Sequence, residues 1–298
     1  MKKELSVLIP VYNKKCGMLI NELSRQLSSI DNLKYEILII DDGSTDRSII
    51  DENTIELNKV EHCKYIVQEE NRGRAATRNL LGKHAQNQWL LFLDSGVVID
   101  NLHFIKSYLN TEPEYEVVYG GIKTNEKNVA GNLRYLYERK YELKHSALQR
   151  SQRPYQAFRT TNFMIRKDVF CRILLNQKIT TYGYEDVLFG KSLYDNNVKI
   201  LHIDNAVRYM EYDNNVTFMR KTEEALHTLY SLKDSLRGYS RIIRINDLLT
   251  SLHLKNLFRS IFNSKRNEWR DNLTSDNPSL FLFNLYRIGY FISISKHP

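Results

Sequence analysis

Residues 36–46 read EILIIDDGSTD: four consecutive aliphatic residues, then two carboxylates, a glycine and a Ser/Thr pair. Such an aliphatic run is typical of a strand buried on both faces, as in a parallel sheet covered by helices. Gly43 permits a turn before a helix. We therefore predict Asp41 and Asp42 at the carboxyl end of a central strand, where open α/β sheets bind ligands. The alternative is an Asp-Gly turn that carries a solvated acid pair.

The same alternation of strand and helix continues on both sides of this stretch. Strands are predicted at 5–9, 64–67, 89–93, 117–119, 162–165 and 198–203, and helices at 16–30, 46–58, 73–86 and 185–196. Short strands alternating with helices of about 10–15 residues indicate βαβ units and a mostly parallel sheet. From residue 216 the pattern is helical, with predicted helices at 216–237, 242–261 and 279–294. We expect an α/β domain over residues 1–215 and a helical extension over 216–298 that packs on it.

The charge of the chain favours anionic partners. The 298 residues carry a net charge of +8, and residues 216–298 hold 13 Lys/Arg against 7 Asp/Glu. This excess fits nucleotides, nucleic acid or an acidic membrane surface, and composition does not choose among them. Three widely spaced cysteines form neither a disulfide framework nor a zinc-ligand pattern, which indicates a reducing, cytoplasmic environment.

Five motifs stand in order along the chain: SVLIPVYN (6–13), DDGSTD (41–46), NRGRAATRN (71–79), LFLDSG (91–96) and GYED (183–186). Together they resemble the family-2 glycosyltransferases of the GT-A fold, over roughly residues 4–213. The resemblance implies a Rossmann-like, mostly parallel sheet flanked by helices. It also implies an inverting transfer from a nucleotide-sugar donor, UDP-linked in our interpretation, to an acceptor hydroxyl.

The first two motifs correspond to the family's nucleoside pocket. The resemblance implies that Pro10 and Tyr12 line the base, that Asp42 accepts the base N–H, and that Asp41 supports it. A carboxylate that accepts a charge-assisted hydrogen bond is a strong partner for a base. The alternative for Pro10 and Tyr12 is a turn that ends a strand.

Arg74 and Arg78 lie one helical turn apart, so both can project from one helix face. The family pattern places arginine here near the base and the diphosphate, and a guanidinium fork matches phosphate oxygens. The helix after Gly73 adds a partial positive charge at its N-terminus. The alternative is a solvated basic face.

The motif at Asp94 departs from the family pattern. Family members usually carry Asp-x-Asp, whose last carboxylate helps to hold Mg²⁺ or Mn²⁺ on the diphosphate, but that position here is Gly96. Tyr209 stands where many relatives supply a histidine ligand. Three alternatives follow: a metal held by Asp94 and the diphosphate, neutralisation by Arg208, Arg74 or Arg72, or a degenerate site that binds the donor poorly.

Glu185 and Asp186 begin a predicted helix after Gly183. Acids at this position suit the helix dipole, which is the structural interpretation. The resemblance makes Asp186 the base that takes the acceptor proton, and Glu185 a neighbour that orients or binds the acceptor. A positioned carboxylate in such a role typically contributes about 10²–10⁴-fold in rate.

The C-terminal extension leaves two interpretations open. The apolar segment 279–294 is too short and too polar to span a bilayer. It is either a helix buried against the catalytic domain or an interfacial helix on the inner face of the membrane. Membrane contact would suit a lipid-linked acceptor in the synthesis of a surface polysaccharide or glycoconjugate.

Two other functions compete with sugar transfer. The first is a degenerate homologue that binds nucleotide or a partner without transfer, suggested by Gly96 and Tyr209. The second is nucleic-acid binding, suggested by the net charge and by the interleaved Tyr and Arg residues of 131–159. No nucleic-acid recognition motif accompanies them, so this alternative has the weaker support.

Overall fold

The computed structural model describes residues 1–124, 129–142 and 146–294. Within these residues the strands are β1 (Glu4–Val11), β2 (Lys34–Asp41), β3 (Cys63–Val67), β4 (Trp89–Leu93), β5 (Val97–Val98), β6 (Val117–Tyr119), β7 (Ile122–Lys123), β8 (Asn162–Arg166), β9 (Ile200–His202) and β10 (Val207–Tyr209).

The described strands form a seven-stranded sheet in the order β3-β2-β1-β4-β8-β6-β9. β1 pairs in parallel with β2 and β4, and β2 pairs in parallel with β3. β8 is the exception, because it runs antiparallel to both of its neighbours, β4 and β6. A smaller sheet in the order β5-β10-β7 lies apart from this one. The predicted fold class is therefore confirmed: α/β with a mainly parallel sheet.

The sequence of β2 explains why the sheet is covered on both sides. Successive side chains of a strand point to opposite faces. Ile37 and Ile39 accordingly enter one core with α1 and α4 residues, whereas Leu38 and Ile40 enter the other. All four are at most 2% exposed. Full burial of such a side chain contributes about 1.5–3 kcal/mol, so both faces must be covered for the strand to be stable.

The helices that cover the sheet come mainly from the first two thirds of the chain. They are α1 (Gly17–Ser28), α2 (Arg47–Leu57), α3 (Arg74–His84), α4 (Phe104–Leu109), α5 (Leu133–Glu142), α6 (Ala147–Ser151), α7 (Pro154–Ala157), α8 (Lys167–Ile173) and α9 (Glu185–Asp195). α1 and α4 pack on one face of the sheet, and α3, α8 and α9 pack on the other.

The C-terminal helices build a third hydrophobic core. They are α10 (Asn215–Ser231), α11 (Arg241–Ser251), α12 (Lys255–Thr274) and α13 (Leu280–Ile294). This core also contains Leu133 from α5, with Tyr184 and Val187 packed against it. The extension therefore contacts the α/β part through α5 and α9.

One prediction for this region is wrong. The single helix expected over 242–261 is two helices, α11 and α12, separated at residues 252–254. His253 has φ +59°, a left-handed conformation that stops the first helix. Among the described residues, no helix combines the length and the apolar character needed to cross a membrane.

Candidate active site

A cavity of about 1660 Å³ opens at the carboxyl ends of β1 and β4, under α5, α9, α11 and α13. It brings together eight of the nine predicted site residues; its lining includes Pro10, Tyr12, Asp42, Arg74, Arg78, Asp94, Glu185 and Asp186. Asp42 and Asp186, 144 positions apart in sequence, therefore share one cavity. Gly96 and Tyr209 also line it.

Asp41 is the predicted site residue that the cavity lining lacks. Its carboxylate is fully buried and accepts hydrogen bonds from the Ser44 N–H at 2.7 Å and from the Tyr65 hydroxyl at 2.7 Å. The buried Asp41 carboxylate thus stabilises the turn after β2 through these hydrogen bonds.

Asp42 organises the loop that leads into α3. Its Oδ1 accepts from the Arg72 N–H at 2.8 Å and from Gln68 Nε2 at 3.2 Å, and its Oδ2 accepts from the Gly73 N–H at 3.0 Å. Gly73 has φ +87°, which a residue with a side chain rarely adopts, so this glycine allows the loop to turn into the helix. A carboxylate has about four acceptor sites, so one remains for a ligand N–H.

Arg78 and Asp94 form a pair between α3 and the end of β4. The Arg78 guanidinium donates to Asp94 Oδ1, while Thr161 Oγ1 donates to Asp94 Oδ2 at 3.0 Å. Arg78 is 2% exposed, and its buried Nε has no hydrogen-bond partner. A buried donor without a partner costs free energy.

Arg74 lies nearer to the opening. Its guanidinium is 3.8 Å from Glu185 Oε1 and 4.7 Å from the centre of the Tyr182 ring. Glu185 itself is buried. Burial raises the pKa of the Glu185 carboxyl, and the neighbouring negative charge of Asp186 raises it further.

Asp186 occupies the first turn of α9. Its Oδ1 accepts from the Val187 N–H at 2.7 Å, and its Oδ2 lies 3.3 Å from Arg159 Nε. The helix begins after Tyr184, whose φ of +63° ends the preceding loop sharply. The carboxylate is thereby oriented from one side by its own helix, and from the other by an arginine on the segment after α7.

Tyr209 lies next to the Asp94 loop, as the motif comparison predicts. β10 pairs with β5, so that Tyr209 faces Val97, and the Met210 N–H donates to the Gly96 carbonyl at 3.0 Å. Burial raises the pKa of the Tyr209 phenol, which keeps it protonated. The Arg134 guanidinium lies 4.5 Å from the centre of the Tyr209 ring.

The donor set at this point bears on metal binding. Asp94 accepts two hydrogen bonds, position 96 has no side chain, and Tyr209 presents a neutral phenol beside a guanidinium. In residues 1–124, 129–142 and 146–294 there is no cluster of three His, Cys, Asp or Glu side chains with the arrangement of a metal site. At this point the protein offers one carboxylate, Asp94, which is too few ligands to hold a divalent cation without a diphosphate.

Of the three arginines predicted to replace a metal, the described cavity lining includes only Arg74. Arg208 instead donates to both carboxylate oxygens of Asp100, at 2.7 and 3.1 Å. Arg72 lies 3.6 Å from Glu70 on the surface.

Sequence reasoning missed the residues that roof the cavity. These are basic and aromatic residues of 131–159, together with α11 and α13: Arg134, Tyr137, Lys140, Tyr141, Arg153, Arg159, Arg241 and Arg287. The interleaved Tyr and Arg pattern was visible, and it motivated the nucleic-acid alternative. It did not indicate that these side chains point into a cavity.

Comparison with known proteins agrees with the motifs. The family model described as Glycosyl transferase family 2 matches residues 6–174. A protein of Haemophilus influenzae named an uncharacterized glycosyltransferase is 39% identical over 97 residues, which are 33% of this chain and 38% of that protein. Another from Rickettsia conorii is 42% identical over 95 residues, 31% of this chain and 14% of that protein. The alignments thus span well under two thirds of these relatives.

Solved structures share the fold at low sequence identity. S. aureus TarS 1–349 in complex with UDP-GlcNAc has a TM-score of 0.54 at 18% identity, covering 99% of this chain and 91% of that one. The mannosyltransferase PcManGT from Pyrobaculum calidifontis, in complex with GDP-Man and Mn²⁺, has a TM-score of 0.57 at 13% identity, covering 98% and 86%. At such identities the likeness concerns the fold alone.

Proposed function

Because the chain belongs to glycosyl transferase family 2, we propose that it transfers a sugar, with inversion, from a nucleotide-sugar donor to a hydroxyl of a glycan acceptor. The observation that carries the proposal is the convergence of Asp42 and Asp186 in one cavity. A cavity of about 1660 Å³ exceeds the roughly 300–1000 Å³ typical of one small ligand, so it has room for donor and acceptor together.

The nucleoside end lies at Pro10, Tyr12 and Asp42. The remaining acceptor site of Asp42 takes a base N–H, and Tyr12, 45% exposed, offers its ring to the base. This carboxylate accepts the N3–H of uracil and equally the N1–H of guanine; the proposal takes a UDP-linked sugar as the donor. Solved structures of similar fold hold UDP-GlcNAc in one case and GDP-Man in another, so both bases belong in the test.

Asp186 acts as the base. It removes the proton from the acceptor hydroxyl as that oxygen bonds to the anomeric carbon. The bond from this carbon to the diphosphate oxygen breaks, and its electron pair leaves with the nucleoside diphosphate. The hydrogen bond from the Val187 N–H holds one oxygen of Asp186 in place, and Glu185 beside it orients the sugars.

Arginine side chains of the protein stabilise the negative charge of the leaving diphosphate. Arg78 and Arg74 both line the cavity; the Arg74 side chain is 54% exposed, 3.8 Å from Glu185 Oε1 and over the Tyr182 ring. Because its side chain is more than half exposed, the Arg74 guanidinium can turn to phosphate oxygens. No step of this mechanism needs a metal.

The decisive experiment is a thermal-shift panel of UDP- and GDP-sugars, followed by donor-hydrolysis and transfer assays with the stabilising donor. We expect one donor to raise Tm and to be hydrolysed slowly in water. Stabilisation without hydrolysis or transfer to any acceptor would support the degenerate nucleotide-binding homologue, which Gly96 and Tyr209 favour. If no donor binds and the chain binds RNA or DNA with a steep salt dependence, the nucleic-acid alternative replaces both.

We also propose that the chain contacts the inner face of the membrane. The contact surface lies at the corner between α11 and α12, whereas the sequence suggests segment 279–294. The apolar residues of α13 are largely buried in the third core. Exposed apolar side chains lie instead where α11 meets α12, including Leu248 and Leu257. Partial burial lowers the pKa of Lys255, and the charges of Arg259 and Lys233 lower it further, so three cations cluster at this corner.

An apolar surface flanked by cations fits an anionic bilayer. We expect the chain to co-sediment with phosphatidylglycerol vesicles and not with phosphatidylcholine vesicles. Replacing Leu248 and Leu257 by Ser should reduce binding at least tenfold. The control is Phe281→Ser, which removes an exposed aromatic from α13; a larger loss in this control would move the contact back to α13.

A further inference from the structure

We propose that the acceptor is anionic, with a phosphate or carboxylate group close to the hydroxyl that receives the sugar. This inference rests on the proposed transferase function and adds the substrate class. It comes from the wall of the cavity beyond Asp186, which α5, α7, α11 and α13 and their flanking residues form. Five cations line this wall: Lys140, Arg153, Arg159, Arg241 and Arg287.

One of these cations contacts the proposed base, and a second lines the same part of the cavity. Arg159 lies 3.3 Å from Asp186 and is anchored through Nη1, which donates to the carbonyls of Phe158 at 2.6 Å and Gln156 at 3.0 Å. Arg287 donates to the Tyr137 hydroxyl at 2.9 Å.

Two aromatic rings complete this wall. The Tyr137 and Tyr141 ring centres are 4.8 Å apart, and both residues line the cavity. Tyrosine rings offer apolar faces on which a sugar can pack. The wall therefore combines surfaces for a sugar with guanidinium groups.

Ion pairs distinguish three of these cations from other cations of the cavity lining. Four other lining cations are matched by acids: Lys14 by Glu211, Arg78 by Asp94, Arg134 by Glu138, and Lys221 by Asp213.

On the acceptor wall the acids are already engaged, Asp186 with Arg159 and Glu142 with Arg139. Lys140, Arg153 and Arg241 have no ion pair with any carboxylate of the described residues. A negative group that enters here finds cations without displacing a partner.

This arrangement favours an anion over a neutral glycan. A neutral acceptor would strip water from the cations without offering a full negative charge in return. Guanidinium groups bind phosphate and carboxylate through paired hydrogen bonds, so both anions remain within the proposal. A phosphate-bearing glycan and a uronic-acid glycan are therefore tested separately.

The experiment uses the full chain with its identified donor and three matched acceptors: a p-nitrophenyl glucoside, the same glycoside with a 6-phosphate, and the corresponding glucuronide. We expect at least one anionic acceptor to have a kcat/KM at least tenfold above that of the neutral one, mainly through KM, and this ratio should fall as salt increases.

The variant that tests the wall replaces Arg153 and Arg241 by Gln and should reduce the preference at least tenfold. The matched control is Arg244→Gln. Arg244 is an exposed arginine on the same helix as Arg241, it does not belong to the described cavity lining, and its variant should keep the wild-type preference.

Three results would overturn the proposal: equal or higher kcat/KM for the neutral glycoside, an unchanged preference in the double variant, or donor hydrolysis that falls in parallel with transfer in that variant. If none of the three acceptors is used, calorimetry on the UDP-loaded chain decides. Glycerol 3-phosphate that binds no better than glycerol then refutes an anion site. Failure of the transferase function looks different, because neither donor binding nor hydrolysis would be seen.

Discussion

A single substitution, Gly96→Asp, tests whether this site works without a metal. A Cβ added at position 96 meets no atom within 4 Å, so an aspartate fits without repacking. The Met210 N–H to Gly96 carbonyl bond is a backbone contact and is kept. The variant restores the second carboxylate of the family's Asp-x-Asp motif beside Asp94.

The expected effect follows from the charge that the substitution adds. For a diphosphate oxygen taken at about 6 Å, a new carboxylate raises the electrostatic energy by about 2.8 kcal/mol without a metal, at an effective dielectric constant of about 20. If the developing charge of the leaving group is repelled by this amount, the activation free energy rises equally, which corresponds to about a 100-fold loss of rate. Mn²⁺ should recover the rate, because two adjacent carboxylates and a diphosphate can hold it.

The assay is transfer or donor hydrolysis in EDTA and in Mn²⁺, for the wild type, Gly96→Asp and the uncharged control Gly96→Asn. We expect the wild type and the control to change less than twofold between the two conditions, whereas Gly96→Asp is slow in EDTA and recovers in Mn²⁺. A wild type that loses more than tenfold in EDTA and recovers with Mn²⁺ would refute the reasoning.

Three further predictions concern single side chains. Asp186→Asn should fold and bind donor normally but lose at least about 100-fold in transfer rate, and wild-type turnover would remove Asp186 from the mechanism. The pKa of Glu185 is raised in the folded state, so the free energy of unfolding of the wild type falls as pH rises from the normal glutamate pKa to the folded value. Glu185→Gln should lack this loss when urea unfolding is compared at pH 4 and pH 8. Burial lowers the pKa of His202 to about 4, so the folded state favours the neutral imidazole. The free energy of unfolding should therefore fall by about 3 kcal/mol as pH falls from above the normal histidine pKa to 4. His202→Gln should lack that loss, and parallel curves of unfolding free energy against pH for variant and wild type would contradict the assignment.

The parts of the fold that the sequence predicts are those with local causes. β2 and β4 are buried on both faces, and their aliphatic runs make this visible. The position of Asp41 was also predictable, because the alternation along β2 places it on the same face as Ile37 and Ile39. Its partner Tyr65 follows from the pairing of β2 with β3.

The break between α11 and α12 lacks such a cause. The segment around His253 contains no glycine or proline, and its leucines keep helical spacing across the break. A left-handed residue without glycine depends on the packing around it. Local pattern therefore predicts one helix where the tertiary structure has two.

The roof of the cavity could not be predicted for a related reason. Arg134 lies over the ring of Tyr209, 75 positions away in sequence. Arg287 donates a hydrogen bond to Tyr137, 150 positions away. Such contacts depend on how α5 and α13 pack, and the basic pattern of 131–159 suits an exposed surface equally well. The motifs thus predicted the floor of the site, while the charges that we assign to the acceptor became visible only in three dimensions.

The two groups of charges imply that donor and acceptor specificity can be altered separately. Donor-end cations such as Lys14 are held in exposed pairs, 46% and 74% exposed for Lys14 and Glu211, that can be exchanged for phosphate at a cost below about 1 kcal/mol. The acceptor wall has three cations without such partners, Lys140 on α5, Arg153 just before α7, and Arg241 on α11. The two sets come together only at the adjacent residues Glu185 and Asp186, which pair with Arg74 and Arg159. The effects of substitutions in one set on transfer should therefore be nearly additive with the effects of substitutions in the other. Strong coupling between them would mean that the cavity binds one extended anion and not two separate substrates.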